Sequence, residues 1–108
     1  MKIRSYVSGS IKVITVKGDI NRVELKDLKD EFRFIHLFRE VLFDLSSVEF
    51  AGSSMVNLLA HLKNRFPDDY RKIKIVHPNE MIRELLAITH LDESFDVFCR
   101  EESCCAIL

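Results

Sequence analysis

Apolar residues occur in short β-type runs that alternate with stretches of helical spacing. The first two runs are residues 3–7 and Ile11–Lys17, with Ser8, Gly9 and Ser10 between them. A short polar connection that contains glycine commonly joins two strands that pair antiparallel. The pattern therefore predicts a β-hairpin over residues 3–17.

A first helix is predicted to follow Asn21. Asparagine is a favoured N-cap, and Glu24, three positions later, has the place from which its side chain can return the hydrogen bond. An apolar stripe then continues at helical spacing, and the helix is expected to end between residues 34 and 39. The stripe consists of Leu25, Leu28, Phe32 and Ile35.

Three further strands alternate with two helices in the second half of the chain. The strand at residues 41–45 has almost no polar alternation, so we expect it to be central and covered on both faces. The other strands are expected at residues 73–76 and 95–99. One helix should run from Ser53 to about Phe66, and the next should have Pro78 in its first turn. The residues expected to face inward are Met55, Leu58, Leu59, Leu62 and Phe66, then Met81, Ile82, Leu85 and Leu86.

This order of elements predicts an α/β fold. Strands joined through helices pair in parallel, so the hairpin should lead into a mixed or parallel sheet on which the helices pack. The chain has 108 residues, the length of one domain, and shows no repeat, linker or low-complexity stretch. We therefore expect a single domain over residues 1–108.

Composition excludes several classes of function. The formal net charge is -1 and the cations are spread along the chain, so nucleic acid is not an expected partner. No apolar run approaches the roughly 18 residues of a membrane span, so direct membrane insertion is not expected. The cysteines are odd in number and lie near one end, which makes a poor disulfide framework and favours a cytoplasmic location; they are Cys99, Cys104 and Cys105.

The last four residues, CAIL at 105–108, fit the C-a-a-X prenylation pattern, with Cys104 as a second possible lipid site. The pattern is short and applies only in a eukaryotic cell. The favoured interpretation is an apolar final strand or helix end that packs on the core.

The connection between residues 45 and 53 is where chemistry would be expected, because ligands of open α/β sheets bind beyond the carboxyl ends of the strands. Ser53 and Ser54 open the helix there. A helix N-terminus suits a phosphate, but serine is also a favoured N-cap, and from spacing alone capping is the preferred interpretation. Asp44, inside the preceding apolar strand, is interpreted as a hydrogen-bonded strand-end acid, with a catalytic role as the alternative.

No catalytic residue, metal site or cofactor is predicted. The sequence AGSSM at residues 51–55 lacks the final glycine of a hydrolase elbow, and the loop lacks the lysine of a P-loop. The four histidines are far apart in sequence and no C-x-x-C pair is present, so the ligand spacing of a zinc site is missing.

Residues 41–54, VLFDLSSVEFAGSS, resemble the core signature of STAS domains, especially of bacterial anti-sigma factor antagonists. That signature is an apolar strand ending in Asp/Asn-Leu, a short loop, an aromatic or apolar residue, and Asp-Ser-Ser/Ala-Gly opening a helix. GDIN at residues 18–21 is similar to the Gly-Glu-Leu-Asp that follows the second strand, and ITHL at 88–91 with Phe95 is similar to the segment after the third helix. The resemblance implies a STAS-like mixed sheet of about five strands with three to four helices packed on it.

The resemblance also implies a regulatory protein-binding module. Anti-sigma factor antagonists bind an anti-sigma factor that is also a serine kinase, and this binding frees the sigma factor for transcription. The kinase phosphorylates the serine at the helix start, which ends the binding. Ser53 occupies that position. The implied partner surface comprises Asp19, Asn21, Phe50, Gly52, Ser53, Ser54 and Met55.

Three positions depart from the family pattern. Gly52 stands where the family has Asp, Met55 where it has Gly, and Asn21 where it has Asp. The missing acid favours an alternative in which the chain binds constitutively or is a scaffold subunit of a transport or stress-signalling assembly that is not phosphorylated. A third hypothesis is an enzyme or small-ligand protein that uses the same helix N-terminus.

Overall fold

Five strands form one mixed sheet in the order β1-β2-β3-β4-β5 in the computed structural model, which describes residues 2–20 and 25–98. β1 pairs antiparallel with β2, and each later neighbouring pair is parallel, as the sequence predicted. The strands are β1 (Lys2–Ser8), β2 (Ile11–Lys17), β3 (Glu40–Ser47), β4 (Ile73–Val76) and β5 (Asp96–Phe98).

Three α-helices connect the parallel strands in the described part of the chain: α1 (Leu25–Glu31), α2 (Ser53–Arg65) and α3 (Glu80–Ile88). Short 3-10 turns follow each helix, at Ile35–Leu37, Tyr70–Lys72 and Leu91–Glu93. The mixed sheet of five strands and the three helices confirm the predicted α/β architecture.

The β1–β2 hairpin follows from its turn residues. Gly9 has a φ of 62°, a left-handed conformation that glycine adopts without a steric penalty. The tight turn sets Ser8 opposite Ile11 and fixes the register along both strands, which ends with Lys2 opposite Lys17.

The core lies on one face of the sheet, beneath the helices. In β3, Val41, Phe43 and Leu45 are buried, whereas Leu42 and Asp44 between them are only half-buried. The expectation that both faces of this strand are covered is therefore wrong, although its central position is confirmed. Leu42 lies between Val13 and Lys74 on the adjacent strands, and side chains in such a row cover one another in part.

The buried face and the apolar stripes of the helices form a single cluster. α2 contributes most, because four side chains at helical spacing are fully buried: Met55, Leu58, Leu59 and Leu62. The strands contribute Ile14, Val16, Val41, Phe43, Leu45, Ile73, Ile75 and Val97.

α1 is shorter than predicted, since it ends at Glu31 and not between residues 34 and 39. After this point the backbone bonds tighten to i→i−3, as in Ile35 N–H to the Phe32 carbonyl at 3.2 Å. Lys12 of β2 donates from Nζ to the Glu31 carbonyl at 2.7 Å and so satisfies a carbonyl at the helix end. The predicted stripe is nevertheless buried in full, whereas Asn21 and Glu24 lie outside the described residues.

Two boundaries near the carboxyl end also differ from the prediction. Pro78 precedes α3 and is not in its first turn, because Asn79 is the N-cap. β5 spans Asp96–Phe98, whereas residues 95–99 were predicted. Phe95 is instead buried just before the strand. Cys99 and the C-a-a-X pattern lie outside the described residues.

Within residues 2–20 and 25–98, no helix is both long enough and apolar enough to cross a membrane.

Candidate functional site

Two loops meet at the carboxyl end of the parallel strands. The Gly18 N–H donates to the Ser47 carbonyl at 3.1 Å, and the Ile20 N–H donates to the Phe50 carbonyl at 3.0 Å. Ile20 also forms an isolated parallel bridge with Ala51. Asp19 is exposed between these bonded residues. The structure thus brings Asp19 beside the β3–α2 loop (residues 48–52), as the site prediction requires, whereas Asn21 lies outside the described residues.

The start of α2 leaves the hydroxyl of Ser53 free. Gly52 is the N-cap and has no side chain to bond the first N–H groups, and its carbonyl accepts from the Met55 N–H at 3.0 Å. Ser53 is the first helical residue and is exposed, and its hydroxyl makes no hydrogen bond within the described residues. The interpretation of Ser53 as the helix cap is therefore wrong, because Gly52 occupies that position. Ser54 is half-buried.

An apolar groove of about 270 Å³ lies next to this helix start, between the β3–α2 loop and α3. Three of its side chains are large, apolar and exposed: Phe50 at 55%, Met81 at 37% and Ile88 at 76%. Met81 was predicted to face inward, and that prediction is wrong. The full lining is Phe50, Ala51, Gly52, Met81, Glu84, Leu85 and Ile88. This groove joins the loop and the helix into one surface, which we call the α3 groove.

The α3 groove was not predicted from the sequence, although the apolar pattern of α3 contains a signal for it. α3 carries one broad apolar face, since Ile82 and Leu86 enter the core while Met81, Leu85 and Ile88 recur beside them at i, i+4 and i+7. The other side of the helix is polar, at Glu80, Arg83 and Glu84, and the apolar face is wider than the core covers, so it needs cover on a second side. In the described structure that second side is the groove.

Met55 cannot belong to a contact surface. Its side chain is fully buried in the core, where its helical spacing places it with Leu58, Leu59 and Leu62. Its inclusion among the partner-binding residues is corrected on this ground. Among the described residues of the predicted set, those accessible at the surface are Asp19, Phe50, Gly52, Ser53 and Ser54.

Asn79 ties α3 to the β3–α2 loop and was not singled out from the sequence. Its Oδ1 accepts from the Ile82 N–H at 2.9 Å, which caps the helix. Its Nδ2 donates to the carbonyls of Val48 at 3.2 Å and Glu49 at 2.8 Å. One side chain therefore sets the position of both walls of the α3 groove.

Replacing Asn79 by alanine is expected to lower the free energy of unfolding by about 1–2 kcal/mol, because the cap and the bonds to the loop are lost together. Urea unfolding measures this change. Asn79→Asp keeps the oxygen that caps α3 and removes the donor, so it should retain part of the lost stability. Asn64→Ala, at an exposed position on α2, is the control. A loss for Asn79→Ala no larger than that of the control would contradict the bracing role.

Asp44 is hydrogen-bonded as predicted, but it lies within β3 and not at the end of the strand, which continues to Ser47. Its Oδ1 accepts from the Ser46 N–H at 2.9 Å, so this local bond occupies its carboxylate. Within the described ranges, no group of three or more histidine, cysteine or acidic side chains is arranged to hold a metal ion.

The histidines lie on separate elements and do not form a cluster with Ser53. Partial burial, followed by the nearby cations Lys29 and Arg65, lowers the pKa of His61 below its ordinary value. His61 lies on α2, two turns beyond Ser53. The other exposed histidines are His36 and His90.

Comparison with known proteins identifies the family. The sequence profile of the STAS domain matches residues 2–104. A search of curated protein sequences found no significant match. An anti-sigma factor antagonist from Mycobacterium paratuberculosis is similar in structure, with a TM-score of 0.77 and 20% identity over 98% of this chain and 91% of that one.

Two structures of SpoIIAA are also similar. The unphosphorylated form of this anti-sigma factor antagonist has a TM-score of 0.74 and 13% identity over 98% of this chain and 96% of that one. The phosphorylated form of the Bacillus cell fate determinant SpoIIAA has a TM-score of 0.69 and 13% identity over 99% and 100%. At these identities the likeness establishes the shared fold.

Proposed function

We propose, from the premise that the chain belongs to the STAS domain family, that it is a regulatory protein-binding module of the anti-sigma factor antagonist kind. Its partner in this proposal is an anti-sigma factor that is also a serine kinase, and phosphorylation of Ser53 ends the binding. The observation that carries the proposal is the free hydroxyl of Ser53 at the first residue of α2, beside the exposed apolar side chains of the α3 groove.

The α3 groove supports protein binding over catalysis. Exposed aromatic and large apolar side chains grouped around a concavity are typical of sites where another protein buries its own apolar side chains. Gly52 lines the groove and Ser53 is the next residue, so a partner that covers the groove and extends over the start of α2 would cover the hydroxyl. The charged residue in the lining of the groove is Glu84. The lining residues include no pair of a nucleophile and a base, which catalysis of group transfer would need.

The helix start supports a phosphorylation switch. A phosphoserine carries about -1.5 to -2 charges at neutral pH, and a helix N-terminus stabilises negative charge. Since Gly52 supplies no side-chain cap, the first N–H groups of α2 are available to phosphate oxygens. The similar structure described as the phosphorylated form of SpoIIAA indicates that this fold accommodates a phosphorylated state in that protein.

Gly52 favours a second candidate function, a STAS scaffold subunit of a transport or stress-signalling assembly that is not phosphorylated. The family acid before the serine is absent here, and a kinase that depends on that carboxylate would act slowly. The structure has room for a side chain at Gly52. A Cβ there would contact only the ring of Phe50, at 3.5 Å from Cζ and 3.6 Å from Cε1. These are ordinary van der Waals distances, so Gly52→Asp should fold normally.

A phosphorylation assay separates the two candidates. Partners are first captured from native lysate, and the captured kinase is purified and incubated with the chain and radiolabelled ATP. We expect label in the wild type and in Ser54→Ala, and none in Ser53→Ala, because the Ser53 hydroxyl is exposed and free. Gly52→Asp should be labelled faster. Stable binding of an assembly protein without labelling would instead support the scaffold, and label retained in Ser53→Ala would exclude Ser53 as the acceptor.

A further inference from the structure

A basic pocket lies on the open face of the sheet, where β1, β2 and β3 meet. It has a volume of about 180 Å³ and is lined by Lys2, Arg4, Thr15, Lys17 and Ser47. The strand register explains this grouping. Between β1 and β2, Lys2 is opposite Lys17 and Arg4 is opposite Thr15. Between β2 and β3, Lys17 is paired with Ser47. Side chains at such paired positions lie on the same face of the sheet.

The positive charge of this pocket is not neutralised by the residues that the structure describes. Lys2, Arg4 and Lys17 form no ion pair there. Other lysines of the same sheet are paired, since Lys12 contacts Glu31 at 3.2 Å and Lys74 contacts Asp96.

The acid nearest to the pocket in the sheet register is Asp44, which is paired with Thr15. It does not line the pocket, and its Oδ1 accepts from the Ser46 N–H. Three cations therefore converge on one concavity with no acid in its lining.

We propose that this basic pocket binds a phosphate group, carried either by a small soluble molecule or by a lipid headgroup. The planar guanidinium of Arg4 can donate two parallel hydrogen bonds to phosphate oxygens, and the ammonium groups of Lys2 and Lys17 add charge-assisted bonds. Thr15 and Ser47 add hydroxyl donors to the lining of the pocket.

The size of the pocket suits one such group. At roughly 30 Å³ per water, the volume holds about six waters, which is enough for a phosphate that keeps part of its hydration shell.

The shape of the charged area favours a phosphate over an acidic protein segment. The next row on the same face begins with Tyr6, Val13 and Leu42, which are apolar or aromatic. It continues with Lys74, which is paired with Asp96. On this face of the described sheet, the cations without an ion pair are thus confined to one corner, whereas an extended acidic segment needs such cations along its length. A single compact group with several oxygens matches the corner better.

Titration with inorganic phosphate, followed by amide NMR, tests the proposal. We expect concentration-dependent shifts confined to residues 2–4, 15–17 and 47. Lys17→Gln should weaken the apparent affinity by about three-fold to ten-fold, since one charge-assisted contact at an exposed site is removed. Arg4→Lys keeps the charge and removes the planar fork, so it should also weaken binding.

Lys26→Gln removes one exposed cation from α1 and is the matched control. It should leave the phosphate affinity unchanged. Shifts spread over the whole surface, or an equal loss in Lys26→Gln, would show simple charge screening and would overturn the proposal.

Two further probes identify the source of the phosphate. Binding to phosphatidylglycerol vesicles that is stronger than to phosphatidylcholine vesicles and that is lost in Lys17→Gln would assign the site to a headgroup. Phosphate binding without that vesicle binding would assign it to a soluble ligand. A glutamate-rich peptide that shifts these residues when phosphate does not would show an acidic protein partner instead, and the proposal would be wrong. None of these results depends on Ser53 or the α3 groove.

Discussion

Replacing Leu59 by alanine is expected to lower the free energy of unfolding by about 2–5 kcal/mol. Leu59 is fully buried on the inner face of α2, within the cluster that α2 forms with the sheet. Truncation removes apolar contact and leaves a cavity that a close-packed interior fills only in part. Because domains of this size are stable by about 5–15 kcal/mol, the change is a large fraction of the total. Urea unfolding followed by circular dichroism measures it.

Asn57→Ala is the control for this result, because Asn57 is exposed on the same helix. It should change stability by no more than about 0.5 kcal/mol. The slope of the unfolding free energy against urea concentration should be the same in both variants as in the wild type. An unchanged slope would mean that the mutations alter stability and not the surface exposed on unfolding. A loss below about 0.5 kcal/mol for Leu59→Ala would mean that the inner face of α2 is wrongly assigned.

The elements with strong local signals were predictable from the sequence. Gly9 marks the hairpin turn, and the spacing of Leu58, Leu59 and Leu62 identifies the inner face of α2. The start of α2 at Ser53 was also predictable, although the cap is Gly52 and not the serine that the local rule for helix starts prefers. These predictions succeed since each depends on residues that are close in the chain.

Features set by distant contacts were not predictable in the same way. The end of α1 at Glu31 involves Lys12 on β2, which is 19 residues away. The brace from Asn79 depends on carbonyls about 30 residues earlier. The half-burial of Leu42 depends on which face the helices cover, and an apolar run does not show this. The burial of Met81 was wrongly predicted for a related reason, because the apolar face of α3 is broad and spacing alone does not identify which edge of it enters the core.

The basic pocket illustrates an intermediate case. The hairpin turn alone fixes Lys2 opposite Lys17, so their proximity could be derived from the sequence. The presence of Ser47 in the pocket could not be derived in this way, because the register between β2 and β3 is irregular between Thr15 and Lys17. A bulge of this kind changes which side chains share a face.

Ser53→Asp is expected to stay folded and to bind the proposed partner at least about ten-fold more weakly, which corresponds to about 1.4 kcal/mol of binding free energy. The fold should tolerate the charge, because Ser53 is exposed at a helix N-terminus and makes no hydrogen bond that the change would break. Binding should not tolerate it, because a partner that covers the α3 groove must remove water from the new carboxylate. Ser53→Ala should bind normally. Calorimetry with the purified partner measures both affinities.

Asn64→Asp places the same charge on the exposed side of α2, about 16 Å further along the helix axis at 1.5 Å per residue. It should bind like the wild type, so any loss specific to Ser53→Asp reflects the position of the charge and not the net charge of the chain. Urea unfolding of Ser53→Asp must show stability within about 0.5 kcal/mol of wild type, so that misfolding does not explain weak binding. If Ser53→Asp binds as tightly as the wild type, the partner does not close over the start of α2. Ser53 would then not be a switch in this protein.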